Sequence, residues 1–279
     1  MNLITFDIED WFHVFNIKKF YNQSLWNQLE SRVTKNTLYI LDELDKFKIK
    51  GIFFCLGWVA LKYPDLIREI ELRGHFIGTH SFSHKLVFKH TKSEFEYDLD
   101  KSLKVLNKIL KKDILFYRAP GFSLKESDYW VFEILTKFGI KYDSSIFPGL
   151  RFHGGVRSIH YNQPYNIIHK LGKILELPIS FVNFYNFKIF YSGGGYFRLL
   201  NINLVKKFTN SNEYNMFYFH PRDFDYNQPR MKSNPLSYFR NYVGLKNSKS
   251  KFNNLLNNLH FDKFSKDQFV NLNLDVNVS

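Results

Sequence analysis

Five short stretches of this 279-residue chain carry side chains that could do chemistry together: Asp7-Ile8-Glu9-Asp10, His80 with His84, Arg118, Asp143 and His220. A histidine pair four residues apart puts both imidazoles on one face if the segment turns helically, as a bidentate metal site requires. Two histidines and one carboxylate, with coordination positions left open, form a recognised hydrolytic or oxygenase metal set. Along an extended segment Asp7 and Glu9 share a face while Asp10 points away. One carboxylate can then ligate a cation, and the other can act as general base on a water whose pKa the cation lowers to about 7. Arg118 facing Asp7 would hold it ionised through a charge-assisted pair. His220 is the natural general acid, because amide hydrolysis must protonate a departing amine, and Asp143 could orient its imidazole. Each residue alone has a plainer reading: loop histidines, a helix-capping acid cluster, a surface cation. Their common placement is what argues for a site.

That placement follows from alternating strands and helices. Residues 3–6 form a β-type run ending at the acid cluster, and a helical period follows with Val33, Thr37, Ile40, Leu41 and Leu44 on one face. Gly51 breaks it before a buried strand at 52–56, and Pro64-Asp65 opens a short helix that stops at Gly74. A strand at 75–78 runs into His80. A helix carrying Leu99, Leu103, Leu106 and Leu110, with Ser93 as N-cap, precedes the strand at 114–117 that delivers Arg118. A helix at 127–138 ends at Gly139, and residues 140–142 lead to Asp143. This βα rhythm predicts an α/β barrel or an open parallel sheet. In both, the site is built at the C-terminal strand ends, where Asp7, His80, Arg118 and Asp143 all fall.

The second half is less regular. Strands are expected at 175–179 and 216–219, the latter ending at His220, and an amphipathic helix at 250–260. Gly193-Gly194-Gly195 lacks the Lys-Ser/Thr ending of a phosphate-cradling loop. It reads equally as a flexible connection or as a loop presenting Tyr196 and Arg198 to a sugar. Trp11 and Phe12 read as packing or as a sugar-stacking wall. No linker or repeat divides the chain, so residues 1–265 are expected to form one catalytic domain, with a polar tail at 266–279 that frays.

Hydrophobic residues at 44% and charged residues at 23% exclude disorder as the main state. A lone cysteine, Cys55, excludes a disulfide framework and a Cys-rich zinc module. Lys and Arg total 39 against 26 Asp and Glu, giving a net charge of +13 that favours an anionic partner. Nucleic acid has no supporting motif. No secretory leader or spanning run is visible, so a soluble, cytoplasmic protein is expected, with charge suited to peripheral contact at the inner membrane face.

Five ordered motifs resemble the polysaccharide deacetylase, or NodB-type carbohydrate esterase, family: Thr5-Phe6-Asp7-Ile8-Glu9-Asp10, His80-Ser81-Phe82-Ser83-His84, Arg118-Ala119-Pro120-Gly121, Tyr142-Asp143-Ser144-Ser145 and Phe219-His220-Pro221. Trp11-Phe12, the run from Gly193 to Arg198 and Arg240-Asn241-Tyr242 resemble the subgroup associated with bacterial exopolysaccharide and surface-glycan gene sets. The resemblance implies a distorted (β/α) barrel of about seven strands and a divalent metal, usually Zn2+, held by an acid and two histidines. It also implies removal of an N-acetyl group from an amino sugar. By position Asp7 matches the base, Arg118 its partner, His80 and His84 the metal histidines, His220 the acid and Asp143 the residue that tunes it. The family's commoner first motif has adjacent aspartates, whereas Ile8 stands in the second place here. Glu9, two residues after the base, is therefore the assigned metal ligand, with Asp10 in reserve. Trp11, Pro120, Gly121, Tyr196 and Arg198 are the candidates for sugar contact.

The expected reaction is hydrolysis of an N-acetylated sugar or glycan, with a backbone N–H joining the metal at the oxyanion. The positive charge favours a phosphate- or lipid-linked sugar over a neutral oligomer. The rivals are a deformylase or cyclic-amide hydrolase on the same scaffold, and a non-catalytic glycan-binding protein.

Overall fold

The computed structural model describes every residue except 16, 150, 152, 186, 270, 271, 273 and 279. Its elements run β1 (Asn2–Ile8), α1 (Val33–Lys46), β2 (Ile52–Cys55), α2 (Gly57–Lys62), α3 (Pro64–Leu72), β3 (Phe76–Thr79), α4 (Lys92–Leu110), β4 (Phe116–Tyr117), α5 (Trp130–Lys137) and β5 (Tyr142–Asp143). They continue with β6 (Tyr165–His169), β7 (Gly172–Glu176), β8 (Phe181–Phe184), β9 (Phe187–Phe190), α6 (Gly194–Leu199), α7 (Ile202–Asn210), β10 (Asn215–Phe219), α8 (Pro235–Tyr242), α9 (Ser248–Asn258) and β11 (Asp275–Asn277). The main sheet has the order β10-β1-β2-β3-β4-β5-β7-β6-β11, and β8 pairs with β9 in a separate hairpin. From β10 through β7 every neighbouring pair is parallel; β6 then runs antiparallel to β7, and β11 parallel to β6. The parallel part is the seven-stranded distorted barrel expected from the sequence.

Strand alternation divides this sheet into two faces. Ile4, Phe6 and Ile8 face outward into the large core shared with Val33, Ile40, Leu41 and Leu44 of α1. Leu3, Ile52, Phe54, Phe116, Leu175 and Met216 form a second cluster on the inner face. Curvature brings distant strands into contact there: the Arg118 guanidinium, just past β4, reaches the Met216 sulfur of β10 at 3.0 Å. Between β7 and β10, the Ser180 hydroxyl accepts from the Met216 N–H at 2.6 Å. The far end of the inner face is closed by Phe264 and Phe269, with Phe264 packed edge-on against Phe76, Phe116 and Tyr142.

Three expectations change. The tail does not fray along its described residues, because Phe269 is buried and β11 adds to the sheet beside β6. The helix cap of α4 is Thr91, reciprocally bonded with Glu94, and not Ser93. The glycine run at 193–195 opens a helix, α6, where a loop was expected. No helix among the described residues is long and apolar enough to cross a membrane.

Gly78 shows how tightly the inner face is filled. A Cβ there would lie 2.8 Å from both Phe116 Cβ and Phe54 Cδ1. Gly78→Ala should destabilise the fold by ~1–3 kcal/mol through overpacking, read as a lowered midpoint in chemical denaturation.

Candidate active site

The same alternation that fills the barrel with Leu3, Phe54, Phe116 and Met216 carries polar groups to its rim. Asp7 and Glu9 continue the inner-face series of β1, His80 that of β3, Arg118 that of β4 and His220 that of β10. All five are brought together. Arg118 Nη1 donates to Asp7 Oδ1 at 2.7 Å and to Thr5 Oγ1 at 2.9 Å, in a fully buried pair. Burial alone would raise the Asp7 pKa, but the charges of Arg118, His80 and His220 and the Arg118 hydrogen bond hold it below its ordinary value. Asp7 is therefore a carboxylate at neutral pH.

Glu9, His80 and His84 form a buried group whose ligand-type atoms all lie within 4.8 Å of one another. Glu9 Oε2 and His84 Nε2 touch, yet neither has a hydrogen-bond partner. Two buried polar atoms that converge without bonding are what a cation's ligands look like. His80 Nδ1 lies 2.8 Å from the Arg118 carbonyl. A carbonyl only accepts, so Nδ1 carries the proton and Nε2 keeps its lone pair, the usual support for a metal-binding imidazole. Burial pushes the His80 pKa down to about 4 against the pull of Asp7, which keeps the ring neutral. Burial likewise would raise Glu9, and its charge contact with His84 holds it low. The set fits a divalent cation.

His80 and His84 do not converge through a helical turn. Residues 80–85 are loop, with Ser81 at φ 63 and His84 at φ 56, a left-handed geometry that costs non-glycine residues energy. Packing from two helices enforces it. Asp98 of α4 accepts from the Phe82 and Ser83 N–H groups at 2.8 and 3.0 Å, and the Ser81 carbonyl accepts from Ser102 and from Gly57 N. Asp98 was not found from the sequence. Its only signal is an acid beside the apolar stripe of α4.

His220 faces the carboxylates, its Nε2 lying 3.7 Å from Asp7 and 3.6 Å from Glu9. Its Nδ1 sits 3.0 Å from Asp223 Oδ2, which also accepts the His220 N–H at 2.9 Å. The other oxygen of Asp223 pairs with Arg198 Nε at 3.0 Å. Burial alone would lower the His220 pKa, but Asp223, Glu9 and Asp7 raise it to about 9. Its Nε2 is thus a protonated donor aimed at the carboxylates.

These contacts correct several assignments. Asp143 does not orient His220. It lies on the outer side of β5, where Tyr142 takes the inner side, and it bonds Ser145 Oγ at 2.6 Å beside Glu176. Burial raises both acids, and the charge and hydrogen bond of Asp143 push Glu176 further. Arg198 does not face a sugar: it is buried against Asp223 and donates to the Arg240, Asn241 and Val243 carbonyls. Trp11 packs edge-on against Phe12 and Phe20 and donates to the Glu30 carbonyl, so it is core and not a sugar wall. Asp10 is not a reserve ligand, since it accepts from Ser31 Oγ and from the N–H groups of Arg32 and Val33 at the start of α1. Pro120 is buried, and Gly121 lies beneath Phe15, where a Cβ would meet that ring at 2.8 Å. Tyr196 remains partly exposed on α6. A Cβ on Gly193 would fall 2.3 Å from the Tyr218 ring, so the glycine run lets α6 pack against β10 next to His220.

Residues 4–142 match the polysaccharide deacetylase family model, and residues 144–267 match a domain of unknown function, DUF3473. The chain therefore carries a polysaccharide deacetylase domain and belongs to that family through its first half. It is 34% identical over 95 residues to a peptidoglycan-N-acetylglucosamine deacetylase of Bacillus cereus, covering 34% of each chain. It is 35% identical over 82 residues to a peptidoglycan-N-acetylmuramic acid deacetylase of Bacillus subtilis, covering 29% of this chain and 31% of that one. The chain thus spans about a third of the length of these curated relatives. Over nearly the whole chain the fold is that of a Mycobacterium smegmatis structure assigned as a polysaccharide deacetylase, with TM-score 0.59, 18% identity and coverage of 95% and 93%.

Replacing the carboxylate behind His220 should show in its titration. In the metal-free protein, followed by NMR, Asp223→Asn should bring the His220 ring down from about 9 towards the ordinary value, whereas Asp143→Asn should leave it in place.

Proposed function

We propose that the protein is a metal-dependent carbohydrate N-deacetylase that hydrolyses the acetamido group of an amino sugar in a bacterial surface glycan or its precursor. The observation that carries this reading is the convergence of an anionic base, a buried His-His-Glu ligand set and a protonated histidine on one rim. Glu9, His80 and His84 would hold the ion, and this donor set favours Zn2+. A divalent cation there would supply Lewis-acid polarisation of the acetyl oxygen and a lowered pKa for the attacking water.

The chain's own residues do the rest. Asp7, held ionised by Arg118, accepts the proton of the water that adds to the acetyl carbon. His220 Nε2 gives a proton to the sugar nitrogen as the C–N bond breaks, releasing acetate and a free amine. Asp223, accepting from Nδ1–H, holds the His220 ring in orientation and favours the doubly protonated form whose Nε2 carries this proton, and Arg198 anchors Asp223. One acid and one base are thus set apart by environment, the pattern of a two-group hydrolase. Tyr196 is proposed as a sugar contact on the open side. Residues 1–265 would act as a single catalytic domain, because the base and ligands come from its first part and the acid assembly from its second.

Asp7→Asn should reduce acetate release ~10²–10⁴-fold while leaving metal content nearly intact. His80→Ala should lose both metal and activity, and chelation should reproduce that loss in the wild type. Wild-type turnover in Asp7→Asn on a true substrate would refute the base assignment.

A further inference from the structure

We propose that the cavity beside His84 is a second sugar subsite, selective for a glycan unit that carries a negative charge. This rests on the deacetylase reading and names the class of substrate it would take. The cavity, about 330 Å³, lies between the segment following β1 and the loop following β3, and His84 is part of its wall. Its volume is that of a small-ligand pocket. A glycan presenting its acetamido group to Glu9, His80 and His84 would therefore place a neighbouring unit here.

The lining suits a charged sugar. Phe15 stacks on the His84 ring at 4.6 Å and 8°, and the Tyr21 hydroxyl donates to the Phe15 carbonyl, which ties the two aromatic residues together. Tyr21 is half-exposed, offering a flat apolar face with a polar tip. Lys85 and Lys89 both line the cavity, and no acid does among the described residues. Lys85 shares its charge with Glu94 at 3.2 Å, whereas Lys89 sits 4.9 Å over the Tyr21 ring. Lys89 therefore gives the cavity a positive group that no ion pair offsets among the described residues.

A second observation is independent of charge. His13, also in the lining, is buried, and its Nδ1 accepts from the Asp10 N–H at 2.9 Å. A backbone amide only donates, so the ring proton sits on Nε2. That nitrogen has no hydrogen-bond partner. An orphaned buried donor is costly, and this one belongs to a residue of the cavity's lining.

Calorimetric titration of three N-acetylated oligosaccharides of equal length tests the proposal: one with a uronic acid unit, its carboxyl-reduced neutral form, and one with a phosphorylated unit. A charged form should bind about five- to ten-fold more tightly than the neutral form, the scale of two exposed ion pairs. The more tightly bound of the two identifies the anion as carboxylate or phosphate. The double variant Lys85→Gln/Lys89→Gln should abolish that preference, leave neutral binding unchanged, and raise KM for the charged substrate without changing kcat. Equal affinity for all three in the wild type, or an undiminished preference in the double variant, overturns the subsite. A charge preference without acetate release from any of the three would retain the subsite and overturn the deacetylase reading instead.

Discussion

The buried Arg118–Asp7 pair is the constraint on which the site depends. A charge taken fully out of water is tolerated only when its partners are well placed. Arg118 has no exposed surface, and every donor is used: Nη1 on Asp7 and Thr5, Nε on the Ser144 carbonyl, and Nη2 on Ser144 Oγ and Met216. Phe54 lies 4.1 Å beneath the guanidinium. One side chain thereby joins β1, β2, the ends of β4 and β5, and β10. The Arg118 carbonyl also fixes the tautomer of His80. The residue that keeps Asp7 ionised thus orients a ligand-type histidine as well.

Around that pair the rim separates two proton affinities. Asp7 is held low by the cations it faces, and His220 is held high by three carboxylates. Asp7 is buried and His220 mostly so, so desolvation works against each charge, and the neighbours decide the outcome. Asp223 has its own support in Arg198, and Lys251 in turn binds the Phe197, Arg198 and Leu200 carbonyls at the end of α6. The structure behind His220 is as elaborate as that behind Asp7.

The rim is also where the two matched regions meet. Residues 4–142 supply Asp7, Glu9, His80, His84 and Arg118, and residues 144–267 supply His220, Asp223 and Arg198. Asp143 falls between them, and here its carboxyl is turned to Glu176 on the outer side of the sheet. The support given to His220 comes instead from Asp223, three residues further along the chain.

Much of this was legible in the residues themselves. A strand's period of two is set by local backbone geometry, so the strand ends at Asp7, His80, Arg118 and His220, and the shared face of Asp7 and Glu9, could be read without coordinates. The same parity argument places Asp143 on the wrong side, because Tyr142 is the inner residue of its strand. What only the tertiary structure decided were contacts that no local pattern encodes. Asp98 holds a left-handed loop from a helix sixteen residues away from Phe82, Arg198 turns inward because three carbonyls of the 240–243 segment receive it, and the polar tail adds a strand because β6 offers an open edge. Hydrogen bonds and ion pairs act through space over a few ångströms. Which distant groups come within that reach is fixed by how the whole sheet curls, and not by the order of residues along any one element.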